Sequence, residues 1–170
     1  MRLDGRILSS VLLLQAAVLL CLSAQCRAAT IDQKIADVRM LLAQIGSEPD
    51  NNKRYALADQ LTKDVYGMNR SERDAFAPEV VDQIATFLND DDELVRAFAA
   101  NVLGQIGTPA LRAVGALLKA LREAERGSRK EYRNTDANAM DSIVAALVRL
   151  KVCVVPDEKY SRSSCDYLIK

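Results

Sequence analysis

Apolar residues recur along most of the chain with the spacing of amphipathic helices. The first stripe has offsets of 0, 4, 7, 10, 11 and 14 residues, which place its members on one helix face: Ile31, Ile35, Val38, Leu41, Leu42 and Ile45. Gly46 is expected to end this helix, because glycine is common just after a helix and Pro49 follows three residues later. The pattern therefore predicts a helix over about residues 31–45.

Similar stripes begin at Tyr55, Val80, Leu94, Leu111 and Met140. Residues with strong positional preferences separate them. Pro78 and Pro109 are expected in first helical turns, the run from Asp90 to Asp92 at an N-cap, and Gly107 just past a helix end. The run from Ser71 to Asp74 is expected to form a capping box. Apart from residues 152–155, nothing alternates with the period of a strand, and the fold class is predicted to be all-α.

The chain also repeats itself. At an offset of 42 residues, five positions carry matching chemistry: Glu48 and Asp90, Asp50 and Asp92, Arg54 and Arg96, Ala58 and Ala100, Leu61 and Leu103. The last helix matches at an offset of 44, with Leu147 over Leu103. A period of 42 to 44 with two helices per unit is typical of helical-hairpin solenoids.

The segment over residues 88–110 resembles the turn and second helix of a HEAT repeat. The matching positions are Asp90, Val95-Arg96, Ala100, Leu103-Gly104, Ile106-Gly107 and Pro109. The resemblance implies a short right-handed α-solenoid of two to three hairpins over residues 29–151. The outer repeats are degraded, since Lys151 replaces the final glycine of the third, and residues 66–77 do not fit the pattern.

Physical arguments give the strongest repeat residues structural roles. Asp90 and Arg96 are placed to form a charge-assisted contact across the turn. Gly104, with the small residues Ala99 and Ala100, would let a neighbouring helix approach closely.

Residues 1–28 have a different composition. Arg2 and Arg6 precede an apolar run from Ile7 to Leu22, and small residues follow, which is the order of a secretory signal peptide cleaved after Ala28. The alternative is a membrane anchor, but the run of 16 residues is shorter than the roughly 20 that span a bilayer. Ala24 and Cys26 are rival cleavage positions. We expect a secreted or periplasmic protein.

Charge and cysteine content fit this expectation. Lys+Arg and Asp+Glu both number 23, and removing residues 1–28 leaves 20 basic and 22 acidic residues, which gives no general attraction to nucleic acid or anionic lipid. Cys153 and Cys165 remain in a C-terminal tail over residues 152–170. In an oxidising compartment a bridge between them is predicted, worth about 3 kcal/mol. Two unrelated buried thiols are the alternative.

The chain contains no histidine, which excludes Ser-His-Asp triads, Cys-His pairs and histidine-ligated metal sites. The acidic run from Asp90 to Glu93 is expected to cap a helix, since EF-hand spacing is missing. An acid-based hydrolase or Ca²⁺-binding protein is the alternative, and it would use Glu48, Asp50, Asp90 and Asp92. We expect no cofactor and no enzymatic activity.

Binding of another protein is the function that these observations favour, with inhibition of a periplasmic enzyme, as by an immunity protein, as a sharper hypothesis. The candidate partner-binding residues form a basic segment with one aromatic side chain: Arg122, Arg126, Arg129, Lys130, Tyr132 and Arg133. A solvated loop is the alternative for this segment. Self-assembly by end-to-end stacking of repeats is a further alternative for the function.

Overall fold

A computed structural model describes residues 30–130 and 137–152 of the chain. Contacts divide the chain into two units, Met1–Asp37 and Val38–Lys170. The described part of the first unit is helical over residues 30–37.

The described residues form seven α-helices and two short 3₁₀ segments, with no strand among them, so the predicted all-α class is confirmed. The helices are α1 (30–47), α2 (Asn51–Gly67), α3 (Arg70–Asp74), α4 (Pro78–Thr86), α5 (Glu93–Ile106), α6 (Val114–Lys130) and α7 (Ala137–Arg149). The 3₁₀ segments are Phe87–Asn89, after α4, and Thr108–Ala113, before α6.

Three helical hairpins follow one another along the chain. In the first, Leu42 and Ile45 of α1 border the same apolar crevice as Ala58 and Leu61 of α2. The second pairs α4 with α5 and the third pairs α6 with α7. The second helices of the hairpins also pack together, because α5 contacts both α2 and α7. Stacked hairpins of this kind are the arrangement that the repeat period predicts.

Most of the predicted apolar stripes face the interior of the unit. Its largest fully buried side chains include Leu42, Ile84, Leu103, Ile143 and Leu147, and no polar side chain is buried among the described residues. Three stripe residues are exposed instead, namely Leu94, Leu111 and Val148. Leu111 lies in the 3₁₀ segment Thr108–Ala113, and α6 starts only at Val114. The predicted start of a regular helix at Pro109 is therefore wrong.

Two other predicted boundaries differ from the structure. Helix α1 continues through Gly46 to residue 47. The capping box involves Asn69 and Glu72 rather than Ser71: the Asn69 side chain accepts from the Glu72 backbone N–H, and the Glu72 carboxylate accepts from the Asn69 N–H. Asn69 has the extended backbone of an N-cap, whereas Ser71 lies inside α3 and its hydroxyl donates to the Asn69 side chain at 2.7 Å.

The two glycines of the middle repeat, Gly104 and Gly107, serve different purposes. A Cβ atom on Gly104 would lie 2.9 Å from the Ala146 Cα and 3.1 Å from its Cβ, so α5 and α7 touch backbone to backbone there. Gly107 ends α5 with a φ of 80°, a conformation that residues with a Cβ rarely adopt. Its N–H still bonds the Leu103 carbonyl oxygen at 3.4 Å.

Candidate functional site

The predicted partner-binding segment begins on the exposed side of α6. Arg122 and Arg126 are exposed and four residues apart, so they share one helix face. Arg129 and Lys130 belong to the last turn of α6, but their side chains lie outside the described part of the structure. Tyr132 and Arg133 also lie outside it. Within this segment, the structure therefore describes the side chains of two exposed arginines, Arg122 and Arg126.

A second basic surface is formed by residues that are far apart in the sequence. It consists of two adjoining depressions, of about 400 and 590 Å³, that share Arg70, Asp74 and Thr108 in their walls. The cations that border them are Arg70, Arg73, Arg112, Arg149 and Lys151. We refer to these two depressions with their five cations as the basic groove.

Three structural elements supply the cations of the basic groove. Arg70 and Arg73 come from α3, Arg112 from the second 3₁₀ segment, Arg149 from the end of α7 and Lys151 from the turn after it. Contact between α3 and the 3₁₀ segment brings the first three together. Buried apolar residues, including Phe76, Ile106 and Leu150, form part of the walls, and Leu111 is exposed there.

Two carboxylates accompany these cations. Arg112 donates from Nε to Asp82 Oδ1 and from Nη2 to Asp82 Oδ2, both at 2.8 Å. Arg70 Nε lies 3.6 Å from Asp74 Oδ2, and Arg73 Nη1 donates to the Met68 carbonyl oxygen at 2.7 Å. Both ion pairs are solvent-exposed, so they contribute little to stability and hold the guanidinium groups only loosely.

Sequence reasoning missed the basic groove because its cations span residues 70–151 and form no run of charge. One sequence signal was available. Residues 66–77 depart from the repeat pattern, and a departure of this kind marks an insertion on one face of a repeat array. Arg70 and Arg73 lie in that segment.

The carboxylates of the alternative hydrolase or Ca²⁺ hypothesis make structural hydrogen bonds. Asp50 caps α2, with its Oδ1 accepting from the Lys53 N–H at 3.0 Å, and Glu48 accepts from the Asp50 N–H at 3.1 Å. Asp92 caps α5 by accepting from the N–H groups of Leu94 and Val95. Over the described ranges, no three Cys, Asp or Glu side chains gather in a group that could hold a metal ion.

The inter-helix turn of the middle repeat is bonded to the preceding repeat. The Arg54 guanidinium pairs with the Asp90 carboxylate, and Arg54 Nε also donates to the Ile45 carbonyl oxygen at 3.3 Å. Next to it, the Tyr55 hydroxyl donates to the Asp92 carboxylate, and this hydrogen bond raises the pKa of Tyr55 above its usual value. Together these bonds connect the start of α2 to the start of α5.

Arg96 braces the same turn through its backbone. Its Nη1 donates to the carbonyl oxygens of Asp90 and Asp91 at 2.7 and 3.0 Å. The charge-assisted contact between Arg96 and Asp90 thus runs to the main-chain oxygen, while the Asp90 carboxylate pairs with Arg54. Asp90 and Arg96 thus hold the turn between the helices of the middle repeat in place.

The remaining sequence predictions fall outside the part that the structure describes. The signal segment 1–28 and the cysteines Cys153 and Cys165 belong there. Within the described ranges, no helix is both long and apolar enough to cross a membrane.

Stacked hairpins with a capping Asp, a turn-bracing Arg and a Gly-terminated second helix are the features of one family. The family model described as HEAT repeats matches residues 38–132, more than half of the chain. This chain belongs to the HEAT-repeat family. Neither the curated proteins nor the solved structures contain a match. HEAT repeats are a protein-interaction scaffold and typically non-catalytic, so protein binding is the class of function that this fold supports.

Proposed function

We propose that this HEAT-repeat chain is an exported, non-catalytic module that binds a protein outside the cytoplasm and inhibits it. The partner would be a periplasmic or secreted enzyme, and an immunity protein that neutralises a delivered toxin is the form of this function that we favour. Family membership carries the proposal, because HEAT repeats act as interaction scaffolds.

Two features of the chain support a binding role over a chemical one. The absence of histidine removes the commonest general base and metal ligand. The carboxylates that a hydrolase would need, such as Asp50 and Asp92, accept backbone hydrogen bonds at helix N-termini. A carboxylate that caps a helix is restrained in orientation, and withdrawing it for catalysis would cost the helix about 1 kcal/mol.

The proposed export rests on residues 1–28, where two arginines, an apolar run and small residues follow in the order of a signal peptide. The two cysteines of the tail, Cys153 and Cys165, would then pair in the oxidising compartment. N-terminal sequencing of the exported chain should begin near Ala29, and alkylation with mass spectrometry should find no free thiol unless the sample is reduced. A chain retaining residues 1–28, or two free thiols after export, would contradict these two points.

The binding function is tested with the full-length chain, tagged at its C-terminus and expressed in a diderm bacterium. Affinity capture from the periplasmic fraction should return one reproducible protein in near-stoichiometric amount, and added chain should lower the activity of a captured enzyme in proportion to its concentration. The matched control is the same tagged chain without residues 1–28, captured from the cytoplasm. If no protein is captured from the periplasm at micromolar bait, the proposed function is wrong.

A further inference from the structure

The basic groove is a local exception to the charge balance of the chain. The whole sequence contains 23 basic and 23 acidic residues. In contrast, five cations and one carboxylate border the two depressions, and Asp82 pairs with Arg112 beside them. Charge of one sign concentrated in a concave surface raises the local concentration of the opposite charge. A ligand for this surface should therefore be acidic.

The type of cation narrows the chemistry of that ligand. Four of the five are arginines, namely Arg70, Arg73, Arg112 and Arg149. The guanidinium group is planar and binds a carboxylate through two parallel hydrogen bonds, which an ammonium group cannot do. Arg112 already makes this two-bond contact with Asp82, at 2.8 Å for each bond. The groove is thus suited to a ligand that carries separate carboxylate groups, each of which binds one guanidinium group.

The walls favour a peptide over a nucleic acid. Asp74 lies where the two depressions join and would repel a continuous phosphate backbone. A peptide can instead donate backbone N–H groups to such a carboxylate. Leu111 is 47% exposed at the rim, and a peptide side chain offers it an apolar partner.

We infer that the basic groove is the docking site for an acidic segment of the partner protein, with Asp or Glu side chains on the arginines and an apolar side chain on Leu111. This inference rests on the proposed function, namely that the chain binds a protein. It assigns the contact to α3, the second 3₁₀ segment and the end of α7, whereas Arg122 and Arg126 of α6 line neither depression.

The test measures binding of a short fluorescein-labelled peptide rich in Glu and Asp with interspersed Leu, by anisotropy on the full mature chain. The groove variant carries Arg70→Glu and Arg149→Glu, two exposed residues from different elements. The matched control carries Arg122→Glu and Arg126→Glu, which change the net charge equally on the α6 surface. A milder variant, with Arg70→Gln and Arg149→Gln, keeps much of each side chain in case the charge reversal disturbs folding.

We expect the peptide to bind the wild type, and the groove variant to bind it about tenfold or more weakly, while the α6 control binds as the wild type does. The glutamine variant should show a smaller loss, and a peptide with Gln and Asn in place of Glu and Asp should not bind. Equal losses in the groove variant and the α6 control, or no loss in either, would overturn the inference. So would tighter binding of duplex DNA or phosphatidylglycerol vesicles than of the acidic peptide.

The capture experiment separates this inference from the proposed function. If the groove variant still captures the periplasmic partner as well as the wild type does, the chain binds a protein and the assignment of the groove is wrong. If the wild-type chain captures no partner, the proposed function fails, and the inference that depends on it fails with it.

Discussion

Gly107 and Lys151 occupy equivalent positions 44 residues apart, and both have positive φ angles, 80° and 59°. Each follows the second helix of its hairpin. After α7, the Lys151 N–H bonds the Val148 carbonyl oxygen and the Val152 N–H bonds the Leu147 carbonyl oxygen, each at 2.9 Å, which is the Schellman pattern of helix ends. The third repeat therefore keeps the backbone of a glycine stop with a lysine in its place.

A glycine at position 151 should stabilise the protein. Lys151→Gly relieves the contact between Cβ and backbone in the left-handed conformation, and we expect a gain of about 1 kcal/mol in the free energy of unfolding. Urea denaturation followed by circular dichroism measures it. Lys151→Ala is the control, because it removes the same side chain but keeps the Cβ and should give no gain. Equal stabilisation by both variants would contradict the conformational argument.

Gly104 should tolerate no larger residue. In Gly104→Ala the new Cβ meets backbone of Ala146 at 2.9 Å, so α5 and α7 must move apart, and we expect a loss of about 1–3 kcal/mol. Gly115→Ala on α6 is the matched control, since nothing lies within 4 Å of its Cβ position. That variant should be neutral or stabilising by up to about 1 kcal/mol, because alanine favours helix. Thermal unfolding of the two variants distinguishes the outcomes.

Arg54 and Asp90 should be energetically coupled. Both side chains are only 16% exposed, so their ion pair is less screened than a surface pair. A double-mutant cycle with Arg54→Ala and Asp90→Ala should give a coupling energy of about 1 kcal/mol or more. The exposed pair of Lys63 and Asp59, four residues apart on α2, is the comparison and should couple by less than about 0.5 kcal/mol. Additive effects at Arg54 and Asp90 would show that the two repeats are not connected through this pair.

The bond from Tyr55 to Asp92 should make stability depend on alkaline pH. The pKa of Tyr55 is raised in the folded chain, so its contribution is fully present below the ordinary tyrosine pKa of about 10 and is lost as the pH rises through the higher folded-state pKa. The stability difference between the wild type and Tyr55→Phe should therefore be constant near neutral pH and shrink above pH ~10. Urea denaturation across this range measures the difference. A difference that stays constant through the alkaline range would contradict the assignment.

The sequence was most informative where one residue type has one structural use. Local preference predicted Pro78 in the first turn of α4, Gly107 at the end of α5 and an N-cap for α5 within the run from Asp90 to Asp92. The structure places Pro78 and Gly107 so and makes Asp92 the cap. The cap of α3 was predicted at the wrong residue because two neighbouring residues can fill that role. Both Asn69 and Ser71 can cap α3, and only the backbone conformation decides between them.

The candidate surfaces were harder to predict than the helices. The basic segment from Arg122 to Arg133 is contiguous in sequence and could therefore be proposed from it, whereas the basic groove forms only after α3, the second 3₁₀ segment and α7 come together. Hydrophobic periodicity indicates which face of a helix is buried, but it does not specify which exposed residues of different helices become neighbours. Arg112 and Asp82, 30 residues apart, are a pair of this kind.

The position of α3 has a consequence for how proteins of this type diversify. The packing of α2 on α5 and their links through Arg54 and Tyr55 connect the first two repeats directly, although α3 intervenes in the sequence. Arg70 and Arg73 therefore belong to an insertion between the repeats and not to the repeat itself. A relative with the same hairpins and a different insertion would share the architecture but would present different side chains to its partners. Among such relatives, the stacked helices would remain similar, and the dozen or so residues between α2 and α4 would determine which partner each protein selects.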